Sequence, residues 1–226
     1  MKNLRPINLL NTIRKLLSNI TLGRIQEKVD TYISPSQSAY RRGRSTSDAV
    51  WTHRFIAAKA QLYKDLQVNI IGIDMSSAFD TIQRKPLMNV LETILNEDEQ
   101  RMSRILLSKT SISIKFGKHR RENVKTNIGS PQGDGISGIF FNIALENALR
   151  TLRVDLNEIN QVERSSLPTE IIYADDSDFL SEDNSRSEVL KEIVKDCLGR
   201  FNLKVNEEKT EKTTIKREQG KTEKWR

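Results

Sequence analysis

The sequence predicts an α+β fold, an antiparallel sheet backed by helices, and three observations carry that expectation. Helical and strand patterns alternate along 226 residues with no internal repeat or low-complexity linker, enough chain for one substantial core or a core plus a subdomain. A short β-branched run, Val68 to Ile73, ends at a carboxylate, Asp74. Much later, Thr169 to Leu180 (TEIIYADDSDFL) places Asp175 and Asp176 between two short apolar runs, the pattern of a hairpin with an acidic tip.

Taken in order, Asn11 to Val29 has helical spacing, with Ile13, Leu16, Leu17, Ile20, Ile25 and Val29 as core candidates and Thr21-Leu22-Gly23 as an interruption. A second helix is expected from Ser47 to Leu66, after Pro35. The strand at Val68 follows, then a helical pair from Pro86 to Ser108, with Pro86 suited to a first turn and Asn96 to a cap between the two. Ser111 to Phe116 and Asn123 to Ile128 read as a hairpin turning at Gly117 to Arg121. Ile136 to Val154 is helical, the strand pair flanks Asp175 and Asp176, and Ser187 to Phe201 forms a last helix. Its apolar face includes Cys197, the one cysteine, which excludes a disulfide or zinc cluster within the chain. From residue 211 onward the expectation is a charged, poorly ordered tail.

The chemistry concentrates at the strand ends. Two carboxylates cannot share a desolvated spot without a cation or a proton between them, so Asp175 and Asp176 with Asp74 suit divalent metal. If the strand ending at Asp74 lies beside the one ending near Tyr173, Asp74 and Asp175 can hold a metal pair about 3.5–4 Å apart, the geometry of two-metal phosphoryl transfer. Each acid also fits a plainer role, since Asp-Asp starts turns and Asp74 can cap the turn MSSAF.

Net charge is +7 and the isoelectric point near 9.5, with the excess clustered. Arg41, Arg42 and Arg44 crowd the loop SAYRRGRSTSD, and Lys115, Lys118, Arg120, Arg121 and Lys125 line the expected hairpin; both clusters suit a phosphate backbone. The lysines after Lys204 alternate with glutamates and read as a solvated face. No apolar run approaches the roughly 20 residues of a membrane span, and MKNLRPINLL lacks a signal peptide's apolar centre, so a soluble, intracellular protein with no membrane partner is expected.

Six ordered motifs then give the chain a resemblance. RPINLLNTIRKLL (Arg5–Leu17), SPSQSAYRRGRSTSDAV (Ser34–Val50), IDMSSAFD (Ile73–Asp80), GSPQGDGISGIFFNIALENAL (Gly129–Leu149), YADD (Tyr173–Asp176) and FNLKVNEEKT (Phe201–Thr210) are similar, in that order, to the reverse transcriptase domain of non-LTR, LINE-type retrotransposons. The resemblance implies the polymerase right-hand fold, with partial fingers over residues 1–66 and a palm over 67–210 that includes fingers-proximal helices at 86–108. It implies an RNA-directed DNA polymerase core acting on an RNA template, a DNA primer and dNTPs with two Mg²⁺ ions, Mn²⁺ being a substitute. Asp74, Asp175 and Asp176 are its metal-binding catalytic residues. Lys209 protonates or neutralises the departing pyrophosphate.

Among substrate-binding residues the resemblance places Arg5 at the triphosphate, a role suited to a planar five-donor fork. Gln132 and Gly133 lie at the nucleotide or template, and Tyr173 stands before the aspartates. Phe79, five residues after Asp74, takes the position whose ring collides with a 2′-hydroxyl. Arg41, Arg42 and Arg44 contact nucleic acid. The match begins close to Met1 and stops before the primer grip and thumb, so the chain reads as fingers plus palm of a larger polyprotein. Two alternatives stand beside polymerisation of DNA: a truncated remnant that only binds RNA, and an RNA-dependent RNA polymerase.

Overall fold

The computed structural model describes residues 8–113, 115–116, 119–120, 124–131, 133–159 and 167–217. The helices are α1 (Thr12–Tyr32), α2 (Thr46–Leu62), α3 (Ala78–Thr81), α4 (Arg84–Ile94), α5 (Glu97–Leu107), α6 (Ser137–Ile159) and α7 (Asn184–Arg200). The strands are β1 (Gln67–Ile73), β2 (Met75–Ser76), β3 (Thr110–Ile112), β4 (Lys115–Phe116), β5 (His119–Arg120), β6 (Val124–Thr126), β7 (Glu170–Tyr173), β8 (Asp176–Ser181), β9 (Lys204–Val205) and β10 (Glu211–Lys216). They fall into two compact units that interleave along the sequence. One comprises Met1–Ser34, Ser77–Thr151 and Leu198–Lys204; the other comprises Pro35–Ser76, Leu152–Cys197 and Val205–Arg226.

In the second unit the sheet is antiparallel with order β10-β1-β8-β7. Helix α2 begins at a capping box, in which Ser45 and Asp48 satisfy each other's backbone N–H groups. It lays Ile56 and Ala60 against Val68, Ile70, Ile171 and Leu180, with Leu167 at the end of the same cluster. Burying each such large aliphatic side chain stabilises the fold by about 1.5–3 kcal/mol.

The segment expected as a tail from residue 211 instead supplies β10, paired to β1 from Gln67 opposite Lys216 to Gly72 opposite Glu211. Its alternation is hidden by charge: Ile215, opposite Val68, packs on the core cluster, Thr214 on the other face donates to buried Asn69 at 2.9 Å, and Lys212 meets Glu188 at 2.8 Å. An apolar cavity of about 450 Å³ lies at the end of the sheet away from Asp74, between Val68, Leu180, Leu156 and Leu190.

In the first unit α1 runs through Thr21-Leu22-Gly23 without a break. Only Ile25 and Val29 of its expected core set are fully buried; Ile13, Leu16 and Ile20 are exposed, and Ser18 and Thr21 take the buried face. Polar contacts decide this rotation. Arg14 donates to the Leu106 carbonyl at 2.9 Å, and Lys28 meets Glu99 at 2.6 Å. Burial would raise the Glu99 carboxyl, but the Lys28 hydrogen bond and charge and the Asn96 N–H hold it below the ordinary range.

Asn96 caps α5 in a second capping box with Glu99, as its place between the two helices predicts. The expected hairpin forms as two short ladders, Thr110–Ile112 with Val124–Thr126 and Lys115–Phe116 with His119–Arg120. Lys125 on it is exposed; the side chains of its other basic residues lie outside the described residues.

Candidate active site

The sheet of the second unit gathers the acids. β1 and β8 pair until Ile73 meets Ser177, and the same register carried one residue further sets Asp74 opposite Asp176. The neighbour of β1 is therefore the outgoing arm of the hairpin and not, as the sequence suggests, the strand that ends near Tyr173. β7 is the outer strand, so Asp74 faces the second aspartate of the pair in register, and the first lies in the turn between β7 and β8.

Partial burial, then the charges of Asp175, Asp74 and Asp178, push the Asp176 carboxyl above the ordinary carboxylate range, and Lys209 opposes them. The Lys209 ammonium lies 3.3 Å and 3.4 Å from the two carboxylate oxygens of Asp74. A 3-10 turn over Glu207–Lys209 brings it there, closed by Lys209 N–H to the Asn206 carbonyl at 3.2 Å. Asn206, which the sequence reading passes over, fixes the turn on the strand end: its N–H donates to the Asp74 carbonyl at 2.9 Å and its amide donates to Asp74 Oδ2 at 3.3 Å.

A further residue missed from sequence sets the hairpin tip. Ala174, between Tyr173 and Asp175, has φ +57°, an uncommon conformation for a residue other than glycine. Buried Gln37 holds it there. The Gln37 side chain accepts the Ala174 N–H at 3.0 Å and donates to the Ala174 carbonyl at 3.2 Å. Its oxygen also accepts the Ala39 N–H at 2.9 Å, and the flanking backbone runs parallel to β7, with Ile172 N–H to Ser36 O and Ser38 N–H to Ile172 O both 3.0 Å. A glutamine in a serine-rich loop gives no sequence signal for such a brace.

The chain then turns at Tyr40, φ +56°, whose hydroxyl is pushed up by burial and by the charges of Asp175 and Tyr173. Arg41 and Arg44 follow, donating to the carbonyls of Gln37 and Pro35 at 3.1 Å each, and Arg42 is exposed. On the other flank His53 of α2 meets Asp178 at 2.9 Å, a fourth acid near the pair.

These donors are all carboxylate oxygens, which hard divalent ions prefer, and the like-charge stress on Asp176 is what a bound cation would relieve. By chemistry the residues fit Mg²⁺. Among the described residues no group of three or more His, Cys, Asp or Glu side chains is already gathered to hold an ion, and the Lys209 ammonium neutralises Asp74 instead.

Phe79 and the Ser130 turn belong to the first unit. The half-buried Phe79 ring stacks on Phe141 of α6, centroids 4.6 Å apart. The Phe79 carbonyl accepts the Ser130 N–H at 2.9 Å, and the Ile82 carbonyl accepts the Gly129 N–H at 2.8 Å, so the two segments are joined directly. Ser137 closes the turn, with its hydroxyl on the Pro131 carbonyl at 2.7 Å, and buried Asp134 pairs with Arg14 at 3.3 Å. Gly133 is exposed with φ +97°. Arg5 and Gln132 lie outside the described residues.

Gly129 is constrained twice: its φ is +73°, and a Cβ there would lie 2.9 Å from the Asp80 carbonyl oxygen. Gly129→Ala is expected to cost about 1–3 kcal/mol, read as a lower midpoint in urea unfolding; an unchanged midpoint would show that the two segments separate freely.

Residues 1–225 match the family described as reverse transcriptase (RNA-dependent DNA polymerase). Among solved structures, telomerase from Candida albicans in complex with a TWJ fragment of telomeric RNA is similar with a TM-score of 0.63 and 15% identity, over 93% of this chain and 34% of that one. The corresponding Candida tropicalis telomerase gives 0.66 and 15%, over 86% of this chain and 33% of that one. A structure titled as an RdRp complex gives 0.62 and 13%, over 92% of this chain and 19% of that one. The chain thus spans about a third of the telomerase chains and shares their polymerase right-hand fold.

Proposed function

Because this chain belongs to the reverse transcriptase (RNA-dependent DNA polymerase) family, we propose that its sheet-end carboxylates extend a DNA primer on an RNA template from dNTPs, in the manner of non-LTR, LINE-type elements. The observation that carries the reading is the placement of Asp74 and Asp176 at facing strand ends with Asp175 at the adjoining turn. The LINE-type assignment rests on the order of the six motifs.

Asp74, Asp175 and Asp176 would hold the metal ions. When bound, these supply a lowered pKa for the primer hydroxyl and charge neutralisation at the phosphates. Lys209, already drawn to Asp74, is within reach to exchange that carboxylate for a departing phosphate and to carry a proton to it. Tyr173 borders the aspartates on the outer strand. In the other unit, Gly133 lets backbone approach a nucleotide, and by resemblance Gln132 contacts base or template and Arg5 the triphosphate.

Phe79 is read as the residue that excludes a 2′-hydroxyl, and its stacking on Phe141 would keep the ring from yielding to that group. Phe79→Val should raise ribonucleotide incorporation by roughly 10-fold or more, in the range of about 1–3 kcal/mol that a steric pocket change commands. Single-nucleotide extension with dNTP and rNTP side by side reads it, and unchanged sugar selectivity would reject the assignment.

The reading as a whole is tested by supplying the purified chain with an RNA template annealed to a DNA primer, Mg²⁺ or Mn²⁺, and deoxynucleotides and ribonucleotides in parallel. Extension by deoxynucleotides supports it. Preferential extension by ribonucleotides selects the RNA polymerase reading, for which the fold shared with the RdRp complex is the specific observation. Salt-sensitive RNA binding without extension selects a binding role.

A further inference from the structure

Helix α2 buries one face against the sheet and leaves on the other a stripe that no described residue of the second unit covers. Trp51 is 67% exposed, Phe55 55% and Leu62 74%, spaced so that they share one side of the helix. Large exposed apolar side chains in a row mark an interaction surface. Its chemistry is not that of an ordinary protein-docking face. The Arg54 guanidinium lies 5.9 Å from the Trp51 ring centroid and the Lys59 ammonium 5.7 Å from that of Phe55, so each ring carries a cation beside it.

The loop leading into the helix adds Arg41, Arg42 and Arg44, and across residues 41–66 six lysines and arginines face two aspartates. One of those, Asp48, is engaged as the helix cap, its carboxylate accepting the Ser45 N–H at 2.7 Å. His53, two residues from Trp51 and so on the opposite side of the helix, meets Asp178 of the sheet and is no part of the stripe.

We infer that the outer face of α2 and the loop that leads into it, with Trp51 and Phe55 as stacking platforms and Arg41, Arg42, Arg44, Arg54 and Lys59 as phosphate contacts, bind single-stranded RNA. Alternating rings and cations suit a single strand, because unpaired bases offer their faces to stack while the backbone follows the charges. A duplex hides those faces, and RNA is chosen over a protein partner because the row is basic along its whole length. The inference concerns binding and does not depend on whether the chain polymerises.

The test uses the full chain with Trp225 replaced by Phe, so that Trp51 is the remaining tryptophan. A fluorescein-labelled 12-nucleotide oligo(U) is titrated by anisotropy and by quenching of Trp51, beside a blunt RNA duplex and heparin as a base-free polyanion. Oligo(U) should quench Trp51 and heparin should not. In the chain with Trp225 intact, W51A/F55A should weaken oligo(U) binding by at least about tenfold, given roughly 1–3 kcal/mol per stacked base, and leave heparin binding unchanged.

W51F/F55W, which keeps a ring at each position, should bind within about threefold of the parent, and K59E should lower the salt dependence. The substitutions leave Ile56 and Ala60 in place, and an unchanged circular dichroism melt certifies the fold. Oligo(U) binding by W51A/F55A equal to the parent's overturns the inference. So does a concentration-dependent dimer, seen in sedimentation, that W51A/F55A abolishes while RNA affinity stays the same.

Discussion

Asp175→Asn is expected to slow nucleotide incorporation by about 10³-fold or more, with no loss of folding stability. The asparagine has the same shape, so the hairpin and its Gln37 brace persist. What disappears is one unit of negative charge at the turn beside Asp176 and Asp74, and several kcal/mol of transition-state stabilisation of the kind a metal pair supplies corresponds to that rate. Stability should hold or rise, because Asp175 is among the charges that push the Asp176 carboxyl up. Single-turnover primer extension and thermal unfolding, run on the same preparation, read both halves. Incorporation within about tenfold of the parent would remove Asp175 from the chemistry; a large drop in melting temperature would mean that the rate loss is only unfolding.

Gln37→Ala is expected to act on the same tip without touching a charge. The substitution leaves the Ala174 N–H, the Ala174 carbonyl and the Ala39 N–H without their present partner, in a position where Gln37 is buried. Unsatisfied buried groups cost about 1–3 kcal/mol each, and with partial rescue by water a total of about 2–5 kcal/mol is expected in urea unfolding. With the positive φ of Ala174 no longer enforced, Asp175 and Asp176 shift relative to Asp74, and a displacement near 1 Å is enough for about a 10²-fold loss in rate.

Gln37→Glu separates the two effects. It keeps the acceptor for both N–H groups, loses the donor to Ala174 O, and adds a negative charge near the acids. Stability should fall less than in the alanine variant, while rate should fall as much. Parent-like rates in both variants would show that the tip holds its geometry unaided.

What the sequence made legible was what depends on neighbours close in the chain. The break between α4 and α5 is written in the cap residue Asn96, and the acidic hairpin in two apolar runs around Asp175 and Asp176. Which strand lies beside β1 is a long-range choice, and no local pattern distinguishes β8 from β7 as its neighbour. α1 illustrates another limit: its apolar residues predict a buried stripe through Ile13, Leu16 and Ile20, but Arg14 and Lys28 reach fixed partners and turn a different face inward. Gln37 and Asn206 act through backbone groups of distant residues, and an amide side chain advertises nothing about whose backbone it will meet. The carboxylates were legible because clustered charge is costly wherever it occurs; the parts that hold them still were not.

Strand β10 bears on how the chain can be dissected. A piece ending at Thr210 keeps every acid and base of the candidate site, yet it strips β1 of the partner that pairs with it from Gln67 to Gly72. The strand that delivers Asp74 would then become an open edge, with its amides free to recruit a strand from another molecule. The shortest fragment that keeps this strand interior ends at Lys216, so the sheet, and not the last recognisable motif, sets the cutting point.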